Sequence, residues 1–509
     1  LQQQRDFGKM LHQTDTPSTE NPSALRNRAL LIGTITFISY AYFYQGGGWN
    51  QNSRFDLVRA ITERHTLSID AYHENTRDKA FANGHYYSDK APGVALLAVP
   101  IALATKPVLR IAGADPESPC GLVAISYFAT IFTIALPMAT ACAVLFLIAL
   151  RLGASTGSGE FAALAIGLAT PMWAYSTLFW GHALAGACLV FAFAAALRLV
   201  GSAARDLAWA AAAGLAAGWA TVTEYPAAPA SLIIALLAEA LVWKDGWPRR
   251  WRVAAGLALG ALPCVGLLLV YQHVAFGSAF RPSYSYYPAG AFPWMKHGYM
   301  GLTYPRIDVA LKLLFNCRRG LLFSGPVVLA APFGLRYLWK DRGTRAAAAG
   351  ITAIAAYYFL FNSSFSGIPG WSYGPRYLSP SLPLLCLGLA PAWDYAPQYW
   401  RRLLAALAVC GGLFTLIAVS TTPQPPDDLR CPIFQLIIPS FWSGKLSLNA
   451  GSMLTSGEAG MSHPGHAFNV GQLMGLHGVV GLLPLLGFWV IAAWLRISRA
   501  KRHKQFVQQ

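Results

Sequence analysis

The residues of this 509-residue chain that can do chemistry gather in a few polar stretches. The largest lies between Gly47 and Cys120. Its first part, WNQNSRFDLVRAITERHTLSID, sets Asp56 near Arg54, Arg59 and Arg64. Phe55, Val58, Ile61 and Thr62 recur at helical spacing, so a short helix is expected there. The second part, AYHENTRDKAFANGHYYSDKAPG, holds Asp70, Asp78, Asp89, two histidines, the pair Tyr86-Tyr87, and Lys90 ahead of Pro92-Gly93. Cations in such a stretch suit the oxygens of an anionic, lipid-linked substrate, and a carboxylate beside them suits a general base. Asp70 and Asp78 read as ordinary charges of a solvated loop. Asp56, Asp89 and Lys90 are the candidates for a role.

Two further corners carry isolated polar groups. His182 follows WAYSTLFWG, and Glu224 sits in TVTEYPAAP, each where an apolar stretch begins or ends. An ionisable group at that depth is a functional candidate by default. Glu224 can alternatively serve as the structural partner of an arginine such as Arg376. Arg281, Arg318 and Arg319 lie in or after FGSAFRPSYSYYPAGAFPWMKHGYMGLTYP, whose aromatics suit either sugar stacking or an interfacial belt. Arg376 lies in SSFSGIPGWSYGPRYLSP, placed to bind an anion or to lock the loop to a carboxylate.

The elements that hold these residues follow from composition. Hydrophobic residues make up 55% of the chain and charged residues 12%, about half the charged share of a soluble protein. That excludes an ordinary soluble enzyme, and the apolar content excludes disorder. Apolar stretches of about 20 residues recur, each long enough to cross a bilayer as a helix. The fold class is all-α and polytopic. About twelve spans are expected, at 29–46, 121–150, 160–175, 180–200, 207–222, 227–243, 253–275, 321–337, 346–362, 377–395, 403–420 and 475–495.

The net charge of +17 would suggest nucleic acid in a soluble protein. Here the basic residues sit in short loops between spans, so they read as topology signals and no nucleic-acid partner is expected. Segment 93–112 is apolar but carries Pro100, Lys106 and Pro107. If it lies along the outer surface as an interfacial helix, more than half of the 39 lysines and arginines fall in short loops and termini on one side. If it spans, every later loop inverts. The positive-inside rule selects the first arrangement, with both termini cytoplasmic. The outer loops are then the long ones, about 47–120, 276–320, 363–376 and 421–474, and the site belongs there. The divisions are a tail at 1–28, a membrane core at 29–420 containing loop 47–120, a loop at 421–474, and a last span with a basic tail at 475–509. The polar start predicts no cleavable leader. No Walker-type phosphate loop occurs. The eight cysteines show no CxxC pair, and those within spans read as small apolar residues. His463 and His466 lack a third ligand, so no metal site is assigned, and a divalent cation stays open as a cofactor.

One long first outer loop, a Y-Y-x-x-K-x-P-G segment and then many spans resemble the polytopic glycosyltransferase C superfamily. Within it the chain is similar to the branch of the lipid A aminoarabinose transferase and the protein O-mannosyltransferases. Segment 49–93 is the specific part. Tyr86-Tyr87-Ser88-Asp89-Lys90-Ala91-Pro92-Gly93 resembles that branch's aromatic-x-x-Lys-Pro-Pro segment, whose lysine helps bind the lipid phosphate. Asn52-Ser53-Arg54-Phe55 resembles the loop helix that carries an acidic pair ahead of Arg-Tyr, and Gly374-Pro375-Arg376-Tyr377 resembles a G-x-R-Y/F segment of other bacterial members. The chain departs from the pattern in two places. Gln51-Asn52 stands where the acidic pair belongs, and His182 where the branch has an aspartate.

The resemblance implies transfer of a sugar from a polyprenyl-phosphate donor, with inversion, to a glycan, lipid or protein acceptor on the periplasmic face of a bacterial inner membrane. Asp56, Asp89 or Glu224 would be the base. Lys90, Arg54, Tyr86, Tyr87, His182, Arg318, Arg319 and Arg376 would bind substrate. One carboxylate suffices because phosphate leaves readily, unlike the glycosidic oxygen that needs an acid. The alternatives are a lipid or glycan transporter or flippase, an oligosaccharide ligase using a diphosphate-linked donor, and an assembly subunit without chemistry.

Overall fold

The computed structural model describes residues 21–201, 203–288, 292–366, 370–449 and 467–507. His463 and His466, and most of the polar tail before Pro22, lie outside them. The chain is an all-α polytopic membrane protein. Its principal helices are α1 (Pro22–Ala41), α2 (Trp49–Arg64), α3 (Gly93–Ile111), α4 (Pro119–Arg151), α5 (Thr156–Leu168), α6 (Gly181–Leu197), α7 (Asp206–Thr223), α8 (Ala228–Leu241), α9 (Trp247–Phe276), α10 (Ile307–Phe315), α11 (Arg345–Ser363), α12 (Gln398–Ser420) and α13 (Leu483–Val507). The described strands are short: β1 (Phe43–Tyr44) pairs antiparallel with β4 (Phe468–Asn469), and β2 (Lys79–Ala82) with β3 (His85–Ser88).

Helix starts are written in the sequence. Asn21, Ser118 and Ser155 each accept from a backbone N–H of the first turn, and Pro22 and Pro119 occupy first helical positions, where no donor is needed. Inside α4, Ile131–Ala135 widens into a π turn just ahead of Pro137, which has no N–H to give the preceding turn. Helices α7 and α9 meet through small residues. A Cβ on Gly214 would come within 2.1 Å of the Leu257 carbonyl, and one on Gly260 within 2.0 Å of the Ala211 carbonyl. Such close backbone approach is how helices associate in lipid.

Six helices are long and apolar enough to cross a membrane by length and composition: Gly93–Ile111, Pro119–Arg151, Trp247–Phe276, Arg345–Ser363, Gln398–Ser420 and Gly478–Arg496. Of the other expected spans, 29–46 and 207–222 fall in the continuous helices α1 and α7, 180–200 and 227–243 form shorter helices, and three are interrupted. Stretch 160–175 stops at Leu168 and restarts at Pro171, stretch 321–337 breaks at Gly325-Pro326, and stretch 377–395 breaks into short turns around Pro380 and Pro383. Proline removes a donor and clashes with the preceding turn, which hydropathy alone does not register.

Helix α3 is among the six, yet its two ends lie on one side. Gly93 abuts Thr223 at the end of α7. After α3, the early part of α4 meets the end of α1: Tyr127 donates to the Ala41 carbonyl at 2.6 Å, and Tyr44 to Ser126 at 2.8 Å. The opposite side holds the Arg28–Glu160 pair at 2.7 Å, the Arg496–Glu160 pair and the Arg151 contact with the Leu197 carbonyl. Lys106 reaches Glu63 of α2 at 3.4 Å. Both ends of helix α3 therefore lie on the side that carries loop 47–120.

Candidate active site

The site is assembled around α2, which begins after the glycine-rich turn Gly46-Gly47-Gly48 and is polar on every face. Asn50, Gln51, Asn52, Ser53, Arg54 and Asp56 are all buried. Each face has its own partner. Asn50 and Arg54, one turn apart, face Glu224: the Arg54 guanidinium donates to Glu224 Oε1 at 2.6 Å, to Asn50 Oδ1 at 3.0 Å and to the Ala91 carbonyl at 3.1 Å. Asn52 and Asp56 face Asn75, with Asn52 donating to its carbonyl at 2.7 Å and Asn75 Nδ2 donating to Asp56 Oδ1 at 3.1 Å. Ser53 donates to Asp89 at 3.1 Å. Gln51 accepts from the Trp180 indole at 2.8 Å.

A cavity of about 1000 Å³ opens above this helix. Its charged lining is Arg77, Asp78, Lys90, Glu224, Arg376 and Asp427. Aromatic rings of Trp180, Tyr225, Tyr284, Tyr287, Trp294 and Trp371 form much of the rest, and Pro226, Pro229, Tyr357 and Phe361 make an apolar wall at the ends of α8 and α11.

Glu224 is the best-placed carboxylate. Oε1 is fixed by Arg54 and lies 3.1 Å from His182 Nδ1, while Oε2 carries no hydrogen bond among the described residues. Burial pushes this carboxyl up, but the facing His182 and Arg54 outweigh it and hold the value at about 2. Glu224 is therefore an anion at any ordinary pH. A Cβ on Gly181 would come within 2.2 Å of Oε1, so the carboxylate is seated against bare backbone.

A second charged group is built by a hairpin. Asn83 and Gly84, both at positive φ, form the two-residue turn between β2 and β3. The register pairs Lys79 with Ser88, so Asp78 and Asp89 emerge opposite one another. Lys90 Nζ sits between them, 2.8 Å from each carboxylate. Tyr287 also donates to Asp89, at 2.5 Å. Burial pushes the Asp89 carboxyl up, against the pull of Lys90. The two carboxylates together outweigh the burial of Lys90 and raise its value.

Arg376 stands apart from the other cavity cations. No carboxylate lies within ion-pair distance of it among the described residues. Its guanidinium donates to the Tyr377 hydroxyl at 2.6 Å and lies over the rings of Tyr377 and Trp180, at 4.5 and 5.7 Å from their centres. Its Nε is buried without a partner. Gly370, at φ +84°, packs directly on this guanidinium, where a Cβ would come within 2.6 Å.

The structure brings some of the expected site residues to the cavity and not others. Glu224, Lys90 and Arg376 line the cavity, but Glu224 pairs with Arg54 rather than with Arg376. His182 and Arg54 act behind Glu224, not on the cavity wall. Asp56 does not reach the cavity. One turn beyond Asn52 it shares the face turned to Asn75, is fully buried, and its burial raises the carboxyl well above the ordinary range. Asp89 is likewise behind the wall, joined to it through Lys90. Tyr86 stacks on His73 at 3.9 Å and Tyr87 packs on Phe276 at 5.4 Å, because the hairpin turns both away from the cavity. Arg319 and Arg318 are engaged by Asp427, the latter at 3.5 Å.

Asn50, Arg77, Asp78, Trp180, Tyr284, Tyr287 and Asp427 line the cavity without having been singled out as site residues. The Asn-Gly turn at 83–84 was the available signal for Asp78, since the hairpin it closes brings residues 78 and 89 together. Among the described residues no three His, Cys, Asp or Glu side chains gather as a metal site would require.

No protein-family profile matches the chain, and no curated protein does. Among solved structures, it is similar to ArnT from Cupriavidus metallidurans bound to undecaprenyl phosphate, at 17% identity, over 83% of this chain and 68% of that one, with a TM-score of 0.48. The apo state of the same protein gives 17% identity, 81% and 68% coverage, and a TM-score of 0.47. The archaeal oligosaccharyltransferase AglB from Archaeoglobus fulgidus, in complex with an inhibitory peptide and a dolichol-phosphate, gives 12% identity, 86% and 60% coverage, and 0.46.

Proposed function

We propose that this chain is a membrane glycosyltransferase that moves a sugar from a polyprenyl-phosphate donor to a hydroxyl acceptor, with inversion, on the membrane face that carries the cavity. In a bacterial inner membrane that face is the periplasmic one. The observation that carries the reading is the make-up of the cavity. One space of about 1000 Å³ joins an unpaired arginine, an ionised carboxylate with one free oxygen, a wall of aromatic rings, and an apolar wall at the ends of membrane helices. An isoprenoid phosphate linked to a sugar needs all four.

The residues divide the work. Pro226, Pro229, Tyr357 and Phe361 receive the first isoprene units. Arg376 holds the phosphate, its planar fork kept in place by Tyr377 and Trp180. Tyr284, Tyr287 and Trp294 offer ring faces to the sugar. Glu224 Oε2 accepts the hydrogen bond of the incoming hydroxyl and takes its proton as the new bond to the anomeric carbon forms. The bond from that carbon to the phosphate oxygen breaks, and its electron pair leaves with the phosphate beside Arg376. Lys90, saturated by Asp78 and Asp89, secures the wall beside the sugar rather than offering a free charge.

The test is transfer by purified protein in lipid nanodiscs given polyprenyl-phosphate sugars and a panel of hydroxyl acceptors, with free polyprenyl phosphate and product detected by mass spectrometry. Release should fall by about a hundredfold or more in Glu224→Gln, the size of a lost general base. Arg376→Ala should weaken donor binding about tenfold to a hundredfold, as for one charged hydrogen-bonding group. No release from any monophosphate donor with acceptors present would reject the reading in favour of diphosphate donors or lipid transport.

A further inference from the structure

One wall of the cavity comes from the segment after α12, which contributes Thr422, Gln424, Asp427 and Asn449. Near the membrane core this segment is tied by amides. Gln424 Oε1 accepts from Gln51 at 2.5 Å and from Asn449 at 2.8 Å, and Asn449 also donates to the Gln45 carbonyl at 2.6 Å. Further out the tie is covalent. Cys431 is joined to Cys317, with a Cα–Cα distance of 5.1 Å across 114 residues of sequence. The bond stands beside Arg318 and Arg319, which hold Asp427 of the same segment.

The pair is set apart from the other six cysteines. Cys142, Cys188, Cys264 and Cys386 are buried and free, and Cys120 and Cys410 are exposed and free. Cys317 and Cys431 each lie half-buried in a polar loop, and that of Cys431 belongs to the segment that lines the cavity. Their Cα separation fits a disulfide, and the Arg319–Asp427 pair brings the two loops together independently of it.

We infer that the Cys317–Cys431 cystine is the clasp of this cavity wall, closed by exchange with an oxidising protein disulfide in the compartment that the site faces. One cysteine attacks the partner's disulfide as thiolate and the other resolves the mixed disulfide. The two thiols lose two electrons and two protons, and the partner leaves as a dithiol. Two loops from different helices share the bond, so both face the oxidising side of the membrane, and the cavity that the Cys431 segment lines faces it too. This assignment of side is independent of the distribution of basic residues and of the transferase reading. Reduction frees loop 421–449 from loop 316–320 and loosens Asp427 against Arg319.

The first test is thiol accounting in intact cells that have met no reductant. A permeable maleimide is applied, followed by proteolysis and mass spectrometry. The clasp requires the Cys317 and Cys431 peptides to appear as one linked species that takes label only after reduction, while Cys120 takes it at once. Labelling of both without reductant overturns the inference. The second test is hydrogen exchange of residues 421–449 in the purified full chain. Exchange should quicken several-fold in the Cys317→Ser/Cys431→Ser double variant and in reduced wild type, and not in Cys120→Ser. Unchanged exchange in the double variant shows that the bond does not hold the wall and overturns that role.

Discussion

Arg54 and Glu224, 170 residues apart, form a buried ion pair at 2.6 Å with side chains 1% and 9% exposed. The pair joins the helix of the first outer loop to the corner after α7. A buried pair contributes little net stability against an apolar substitute, but removal of one partner leaves an uncompensated charge. Arg54→Ala is expected to destabilise the protein by about 3–5 kcal/mol. Glu224→Gln keeps a carbonyl for Arg54 and should cost less while abolishing transfer. Thermal unfolding in detergent beside the transfer assay checks the split. Transfer retained by a folded Glu224→Gln would deny Glu224 its separate chemical role.

Asp56→Asn separates the two carboxylates of the sequence reading. Asp56 Oδ2 and Asn75 Oδ1 are both buried without a partner, while Asn75 Nδ2 already donates to Asp56 Oδ1. An amide at position 56 supplies the missing donor and closes a reciprocal pair. The variant should fold, retain transfer, and gain about 1–3 kcal/mol, the penalty of an unsatisfied buried group. The gain should depend on pH. Burial raises the Asp56 value above its unfolded 3.8, so the wild-type contribution is complete below 3.8 and is lost as pH rises toward the folded value. The advantage of the variant therefore widens upward from about pH 4. Loss of transfer in a well-folded Asp56→Asn would return the base to this residue.

Glu224 gives the opposite sign. Its value is lowered from 4.5 to about 2, so its stabilising share is complete above 4.5 and disappears as pH falls toward 2. The stability gap between wild type and Glu224→Gln should stay constant from pH 7 to about 5 and narrow below that. Unfolding midpoints across this range measure it. A gap that widened in acid would mean that Arg54 and His182 do not hold the carboxylate as the structure shows.

How far the sequence revealed this molecule depends on what each signal reports. Hydropathy and charge reached the polytopic class, because long apolar runs and a low charged share are additive properties. They missed the interruptions at Pro326 and Pro380, which are local. In the site, Glu224 and Arg54 were both visible, yet their pairing was not. Helix α2 is buried all round, so it has no amphipathic stripe to say which face meets the cavity. Counting one turn from Asn52 pointed to Asp56, which faces Asn75, whereas the face turned to Glu224 runs through Asn50 and Arg54. Asp78 looked like a surface charge because its partner, Lys90, is reached only through the hairpin register. The Cys317–Cys431 bond joins loops 114 residues apart, beyond any local pattern.

Gly181 offers the sharpest steric test of the role proposed for Glu224. It opens α6 beside Trp180, and its missing side chain leaves the room that Glu224 fills. A Cβ there would stand 2.2 Å from Glu224 Oε1 and 2.8 Å from the Thr223 carbonyl. The carbonyl belongs to the backbone and cannot swing away, so the carboxylate must move. Gly181→Ala should cost about 1–3 kcal/mol in overpacking. Its effect on transfer should be larger in proportion, about a hundredfold, because displacement of a catalytic group by an ångström is enough for that. Gly157→Ala is the control: it too lies near the start of a helix, and a Cβ there meets nothing within 4 Å. The transfer rate and unfolding midpoint of the two variants, measured side by side, decide the matter. If Gly181→Ala transfers as fast as Gly157→Ala, the position of Glu224 is not what the reaction depends on.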